Sequence, residues 1–201
     1  HGYKNLTKLS SKSYLNNKQS QDPYCEIEDL ILNNEDLILL TGNYNDFFGK
    51  LFYANKVKHF EQIINKLKTS FKDRLYIEIQ RHGESQESNY ENFLLNISSS
   101  LDIPIIAGQE VYYLDSKMSD AHDALICIGK KNFIDDKNRF RYSNQHYLKK
   151  SDEIKKLYQD IPEALENNFN FPLRFNFKPK KSKPILPSIS NNKNMSVDNE
   201  I

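Results

Sequence analysis

The chain has 201 residues, with 38% hydrophobic residues and a mean hydropathy of −0.73, a length that suits one domain or most of one plus a linker. Its 28 basic and 27 acidic residues leave a net charge of +1, which singles out neither nucleic acid, nor an anionic membrane, nor an acidic substrate as partner. No apolar run approaches the roughly 18 residues of a membrane-spanning helix. Cys25 and Cys127 are far apart and have no metal-binding spacing, so no disulfide scaffold is expected and a reducing cytoplasm is the default compartment. The opening H-G-Y-K-N-L has neither a methionine nor a signal peptide, and the chain is expected to be an internal piece of something longer. The low apolar fraction is offset by 12 Tyr and 12 Phe, whose large side chains can supply a core.

Residues 3–15 carry Tyr3, Leu6, Leu9, Tyr14 and Leu15 at a rough helical spacing, residues 16–23 are polar and read as a loop, and 26–32 is a short amphipathic segment. The run 36–40, D-L-I-L-L, closes on Thr41-Gly42-Asn43 and predicts a buried strand leaving into a loop, with Gly49 in the turn or helix start that follows. Val57, Phe60, Ile63, Ile64 and Leu67 predict an amphipathic helix over 56–67. Two further strands are predicted at 75–79 and 105–107, joined by a helix over 87–101 that buries Tyr90, Phe93, Leu94, Ile97 and Leu101. Ser119 predicts a helix cap, with Asp120 and Asp123 in the first turn, Ala121, Ala124, Leu125 and Ile128 buried, and Gly129 at the end. Residues 130–150 look irregular and charged. Helices follow from Ser151 through Tyr158 and at 162–165, where Pro162 occupies the first turn. From about Phe177 the Lys- and Pro-rich composition reads as an extended linker. The alternation of strands and helices makes the class α/β.

The candidate chemistry lies at the ends of the predicted parallel strands, where sites gather in such folds. His82, beyond the strand 75–79, has the residue type of a metal ligand or general base, or else of a packing histidine beside Gly83. Glu110 and Tyr112, two apart beyond the next strand, project in the same direction, and Glu110 is a candidate carboxylate ligand or a partner for a helix end or an arginine. In D-A-H-D, 120–123, Asp120 and Asp123 share a helix face but His122 does not, so a helix-start role is favoured for the acids. Lys178, Lys180, Lys181 and Lys183 lack the interleaved aromatics of a nucleic-acid surface. No glycine-rich phosphate loop, nucleophile elbow or paired-Cys metal site is present in the sequence. On the residues alone the reading is an α/β domain with a candidate metal site.

Y-I-E-I-Q-R-H-G (76–83), P-I-I-A-G-Q-E-V-Y-Y (104–113) and A-H-D-A-L-I-C-I-G (121–129) resemble the PHP (polymerase and histidinol phosphatase) domain of bacterial C-family replicative polymerases. The resemblance extends upstream through G-Y-K-N-L-T-K-L-S-S-K-S-Y and L-I-L-L-T-G. Downstream it takes in R-F-R-Y-S-N-Q-H-Y-L-K-K-S-D-E-I, Y-Q-D-I-P-E-A-L-E-N-N and L-P-S-I-S. It implies a partial distorted (β/α)7 barrel over 1–175, with 176–201 a linker leading toward a polymerase palm. The opening strands, with the family's His-x-His ligand pair, would lie before residue 1.

Intact members bind up to three metal ions (Zn, Mn or Mg) and act as phosphoesterases or proofreaders. His82 matches the family's histidine after E-I-Q-R, but the next motif, N-D-V-H-Y in intact members, is Q-E-V-Y-Y at 109–113. Glu110 thus stands for an aspartate and Tyr112 for a histidine, and a tyrosine is a poor substitute for imidazole. The resemblance therefore implies a degenerate metal site with His82 and Glu110 as remnants and no catalytic residues in this segment. It implies a structural and docking role within the polymerising subunit of a DNA replicase, with the proofreading exonuclease, other replicase subunits and DNA as partners and Mg bound at a palm outside this segment. The competing readings are a metal-dependent PHP phosphoesterase or 3′–5′ proofreading exonuclease, and a non-functional remnant of a split polymerase gene, whose incomplete barrel would expose an unpaired sheet edge.

Overall fold

The computed structural model describes residues 1–15, 22–181, 183 and 184. Residues 16–21 of the loop expected at 16–23, and nearly all of the linker beyond residue 181, lie outside these described residues. Along the chain run α1 (Gly2–Leu15), α2 (Ile27–Leu32), β1 (Leu39–Leu40), α3 (Phe47–Tyr53), α4 (Val57–Phe71) and β2 (Leu75–Gln80). They are followed by α5 (Glu87–Leu101), β3 (Ile105–Gly108), α6 (Ser119–Lys130), α7 (Ser151–Leu157) and α8 (Pro162–Asn170). The class is mixed α/β, built on a small parallel sheet in the order β1-β2-β3, with Leu39 opposite Leu75 and Ile77 opposite Ile105.

The central strand is apolar on both faces: Leu75, Tyr76, Ile77 and Ile79 are all buried. A parallel strand flanked by crossover helices has no solvent face, so its sequence is a near-continuous apolar run rather than an alternation. On the helix side, α4 contributes Phe60, Ile64, Leu67 and Phe71, and α5 contributes Tyr90, Leu94 and Ile97 to the same core. Phe48, Phe60, Phe93 and Phe52 pack ring on ring between α3, α4 and α5, with centroids 4.8 to 4.9 Å apart.

Several elements depart from the pattern read along the chain. The expected strand 36–40 keeps only Leu39–Leu40, because Asp36 turns the chain at φ 56° and pairing with β2 begins only at Leu39. Arg74 holds that turn, donating to the Leu37 carbonyl (2.7 Å) and to the Asn34 side chain (2.8 Å). α4 runs on to Phe71, since Phe71 itself lies in the core, and stops where Lys72 takes φ 55°. Ser119 does not cap α6. It is the first helical residue, preceded by a 3-10 turn in which the Asp115 side chain accepts from Lys117 N (2.9 Å), and the helix passes Gly129 to end at Lys130, where Lys131 takes φ 57°. Nor does α6 bury the expected face: Leu125 is 64% and Ile128 76% exposed, and Cys127 is its buried residue. α8 extends to Asn170, well beyond the expected 162–165.

The extension of α8 closes one edge of the sheet. Asn168 accepts a hydrogen bond from Ala107 N (3.0 Å) and donates to Ala107 O (2.8 Å), and Asn167 donates to Ile105 O (2.7 Å). Two side-chain amides thus stand in for a neighbouring strand, meeting the need of an edge strand's backbone for partners. Across the sheet, the buried Tyr158 hydroxyl shares its proton between Ile79 O (3.1 Å) and Gly108 O (2.9 Å), on adjacent strands. Replacing Asn168 with Ala should cost about 1–3 kcal/mol in urea unfolding, because both Ala107 groups lose their partner; an unchanged midpoint would mean that water serves the edge equally well.

Candidate functional site at the strand ends

The carboxyl ends of all three strands open onto one polar cluster, in which each strand supplies a side chain for a structural reason. After β1 the chain turns at Gly42 (φ 76°), a backbone state that favours glycine. This presents Thr41, whose hydroxyl accepts from Glu78 N (3.0 Å), and Asn43, whose own N–H donates to Asp46 (2.9 Å). β2 supplies Glu78 and Gln80, and the Gln80 amide donates to Glu78 (2.7 Å). Burial raises the Glu78 carboxyl above its usual range, with the charges of Asp46 and Glu110 adding to the effect and the Gln80 amide opposing it. On β3, at the position paired with Gln80, a side chain at Gly108 would put its Cβ 2.0 Å from Glu78 Oε1, so only glycine lets this carboxylate lie across the sheet.

His82 is buried and fully bonded. Its Nδ1 lies 3.2 Å from Glu87 Oε1, and its Nε2 accepts the backbone N–H of Glu110 at 3.2 Å. The second contact fixes the tautomer: Nε2 is the acceptor, so Nδ1 carries the proton and donates to Glu87. Glu87, the first residue of α5, also collects the backbone N–H groups of His82 (2.8 Å), Gly83 (2.9 Å) and Glu84 (3.2 Å). Burial pushes its carboxyl up, but the His82 ring and these backbone donors outweigh it and leave the pKa lowered.

Glu110 is held by neutral donors: Asn43 Nδ2 on one oxygen (2.8 Å) and the Tyr112 hydroxyl on the other (3.0 Å). Burial raises the Tyr112 phenol, and its bonds to Tyr142 and Glu110 raise it further. The Tyr112 ring belongs to a column of stacked side chains. His82 lies flat on His146 (4.0 Å, 2°), His146 faces Tyr112 (5.2 Å, 29°), and Tyr112 faces His122 (5.2 Å, 10°).

The segment after α6 delivers His146 to this column. Ser143 hydrogen-bonds Glu84 through its N–H (2.9 Å), Tyr113 OH donates to Ser143 O (3.1 Å), and Tyr112 N donates to His146 O (2.9 Å). The stretch 130–150, expected to be merely irregular, is thus partly a fourth strand-like segment, bridged at Tyr113 and Tyr147. Neither ring nitrogen of His146 has a hydrogen-bond partner among the described residues. Burial and the adjacent His82 lower its pKa to about 4, against a smaller opposing pull from the Glu110 backbone.

Of the residues singled out in sequence, His82 and Glu110 do come together, joined by the Glu110 N–H, and Tyr112 joins them through its hydroxyl. The acids of D-A-H-D do not. Asp120 is exposed, and Asp123 is gripped by Arg139, with Arg141 2.9 Å away. Asn43, Glu87, Tyr142 and His146 were not anticipated. Asn43 sits just past a predicted strand and could have been found by the same strand-end rule; His146 gives no signal in sequence. The donor set fits a metal poorly. The Nε2 lone pair of His82 is taken by the Glu110 N–H, each Glu110 oxygen already accepts one hydrogen bond, and no group of three or more His, Cys, Asp or Glu side chains among the described residues is placed to hold an ion.

The PHP domain family matches residues 1–82. Over 93% of its length the chain is 35% identical to the DNA polymerase III subunit alpha of Caulobacter vibrioides, and over 94% it is 35% identical to that of Rickettsia bellii. The Vibrio cholerae subunit is 31% identical over 93% of the chain. The chain spans 16% of the length of each of these relatives. The PHP match ends at His82, the residue whose ring joins β2 to the loop after β3.

Two outcomes test the cluster. His82→Ala leaves the Glu110 N–H without its partner and takes the ring donor from Glu87, and thermal unfolding should show a loss of about 2–4 kcal/mol; a loss below about 1 kcal/mol would mean the clamp contributes little. For His146, the unfolded imidazole takes up a proton near its ordinary value of about 6.5, whereas the folded one resists until about 4. Stability should therefore fall as pH drops through that window. His146→Phe, which keeps the stack, should flatten the decline, and parallel wild-type and variant curves would assign it to other groups.

Proposed function

We propose that this chain is a segment of the polymerising (alpha) subunit of a bacterial DNA polymerase III, and that it serves DNA replication as a structural and docking module. The observation that carries this reading is similarity running through almost the whole chain to subunits bearing that name. On this reading residues 1–175 are part of a distorted (β/α)7 PHP barrel and 176–201 lead toward the polymerase palm. The palm, outside this segment, holds the catalytic carboxylates and their Mg. The partners are the other replicase subunits, the proofreading exonuclease among them, and DNA, and the setting is the cytoplasm. No helix among the described residues is long and apolar enough to cross a membrane.

The strand-end cluster is a degenerate metal centre in which hydrogen bonds do the cross-linking that cations do in intact members. A carboxylate in a metal site shares its charge with the ion. Here Glu110 is compensated by an amide and a phenol, and His82 by a backbone donor and a carboxylate. These neutral and internal partners hold the strand ends together without requiring an ion. Water activation by a bound metal has no part in this chain's own role.

Two measurements test the reading. The gene should continue in frame on both sides of this segment, into the family's His-x-His strand upstream and into acidic palm residues downstream; a frame closed near both ends would overturn the polymerase assignment. After dialysis against Zn, Mn or Mg, elemental analysis should find well under one ion per chain and no rise in melting temperature. Stoichiometric binding abolished by His82→Ala, with phosphomonoester hydrolysis, would replace the docking module with a PHP phosphoesterase.

A further inference from the structure

Away from the strand-end cluster, one strap combines basic charge with exposed rings. Between 130 and 150 the chain has seven basic residues against two acidic ones, although its overall net charge is +1. The segment from the end of α6 to Tyr142 reads K-K-N-F-I-D-D-K-N-R-F-R-Y, basic residues interleaved with aromatic ones. It folds back on α6 as a unit. Asp136 closes a turn by accepting from Phe133 N (2.8 Å), Arg139 donates to Ile134 O (3.1 Å), and Arg139 and Arg141 both bind Asp123 on the helix.

The strap divides its charges into two kinds. Arg139 is bound by Asp123 through both arms of its guanidinium and is internal to the strap. Lys130, Lys131 and Lys137 are exposed and make no ion pair among the described residues, and Arg141 is 59% exposed. Among these charges Phe133 is 77% and Phe140 53% exposed. Phe140 stands edge-on to Tyr142 (4.6 Å, 86°), and Tyr142 leans on Tyr112 (4.6 Å, 46°), so rings continue from the strap to the strand-end column.

We propose that the strap 130–142 is a contact surface for single-stranded DNA, with Lys130, Lys131, Lys137 and Arg141 meeting phosphates and Phe133 and Phe140 stacking on unpaired bases. Exposed aromatic faces beside a tracking line of cations are what sequence-tolerant single-strand binding requires. Duplex would leave the rings without a base face to stack on, and an acidic peptide would use the charges alone. The choice of DNA rests on the polymerase reading above.

The test is fluorescence anisotropy of labelled oligo(dT) with the purified chain, titrated across salt. The wild-type chain should bind, with log affinity falling linearly against log salt. Lys130→Ala, Lys131→Ala and Lys137→Ala combined should make that slope shallower by about 2, at roughly 0.7 per phosphate contact. Phe133→Leu and Phe140→Leu keep apolar bulk but lose the stacking face. Each should weaken binding about fivefold or more with the slope unchanged. All these side chains are exposed, and unchanged circular dichroism checks that the variants fold. Failure of the folded wild-type chain to bind would overturn the inference, as would ring variants of unchanged affinity or equal competition by oligo-glutamate. The polymerase reading is judged separately by the flanking reading frame, so either can fail alone.

Discussion

The imidazole of His82 joins segments far apart in sequence. It lies two residues beyond β2, donates to the first residue of α5, accepts from the loop after β3 and stacks on a ring delivered after α6. A neutral imidazole has one donor and one acceptor, and both are used here, the donor on Glu87 and the acceptor on the Glu110 N–H. Glu87 reinforces the arrangement from below, because its carboxylate gathers the N–H groups of the turn at 82–84 while facing the ring. The His82 ring therefore ties the strand ends together in addition to the sheet pairing.

Around that clamp the cluster manages negative charge with few nearby cations. Glu78, Asp46 and Glu110 interact electrostatically, and burial raises the Glu78 carboxyl. Amides and hydroxyls compensate them: Gln80 for Glu78, the Asn43 N–H for Asp46, and Asn43 with Tyr112 for Glu110. The Tyr112 phenol supplies the second of the two donors that hold Glu110. The same ring extends the stack from His146 to His122, linking the polar cluster to α6.

A further set of side-chain ties sits just outside the cluster. Arg81, next to the clamp, binds Glu91 on α5 (3.0 Å) and Asp160 before α8 (2.6 and 2.8 Å) and lies over the Tyr158 ring (5.0 Å). A planar guanidinium can satisfy two carboxylates in one plane, and here it fastens α5 and the α7–α8 turn to the end of β2. The rigid frame that results leaves the strap after α6 as the exposed, charged part of this face.

Local periodicity and residue type determined a good deal by themselves. The α/β alternation, the buried central strand and the helix over 87–101 follow from apolar spacing, because burial on both faces or on one stripe leaves a pattern in the chain. The strand-end positions of His82, Glu110 and Tyr112 follow from the same reasoning, and the motifs around them carry the PHP resemblance. Only the tertiary structure decided the rest. The length of β1 is set by where Leu39 meets Leu75, and the exposure of Leu125 and Ile128 by which face of α6 has a neighbour; an amphipathic pattern cannot say whether anything covers it. His146 reaches the core through a segment with no periodicity at all. Above all, whether a histidine has a lone pair to offer depends on what else bonds to it, and the donor that occupies His82 comes from a backbone amide 28 residues away.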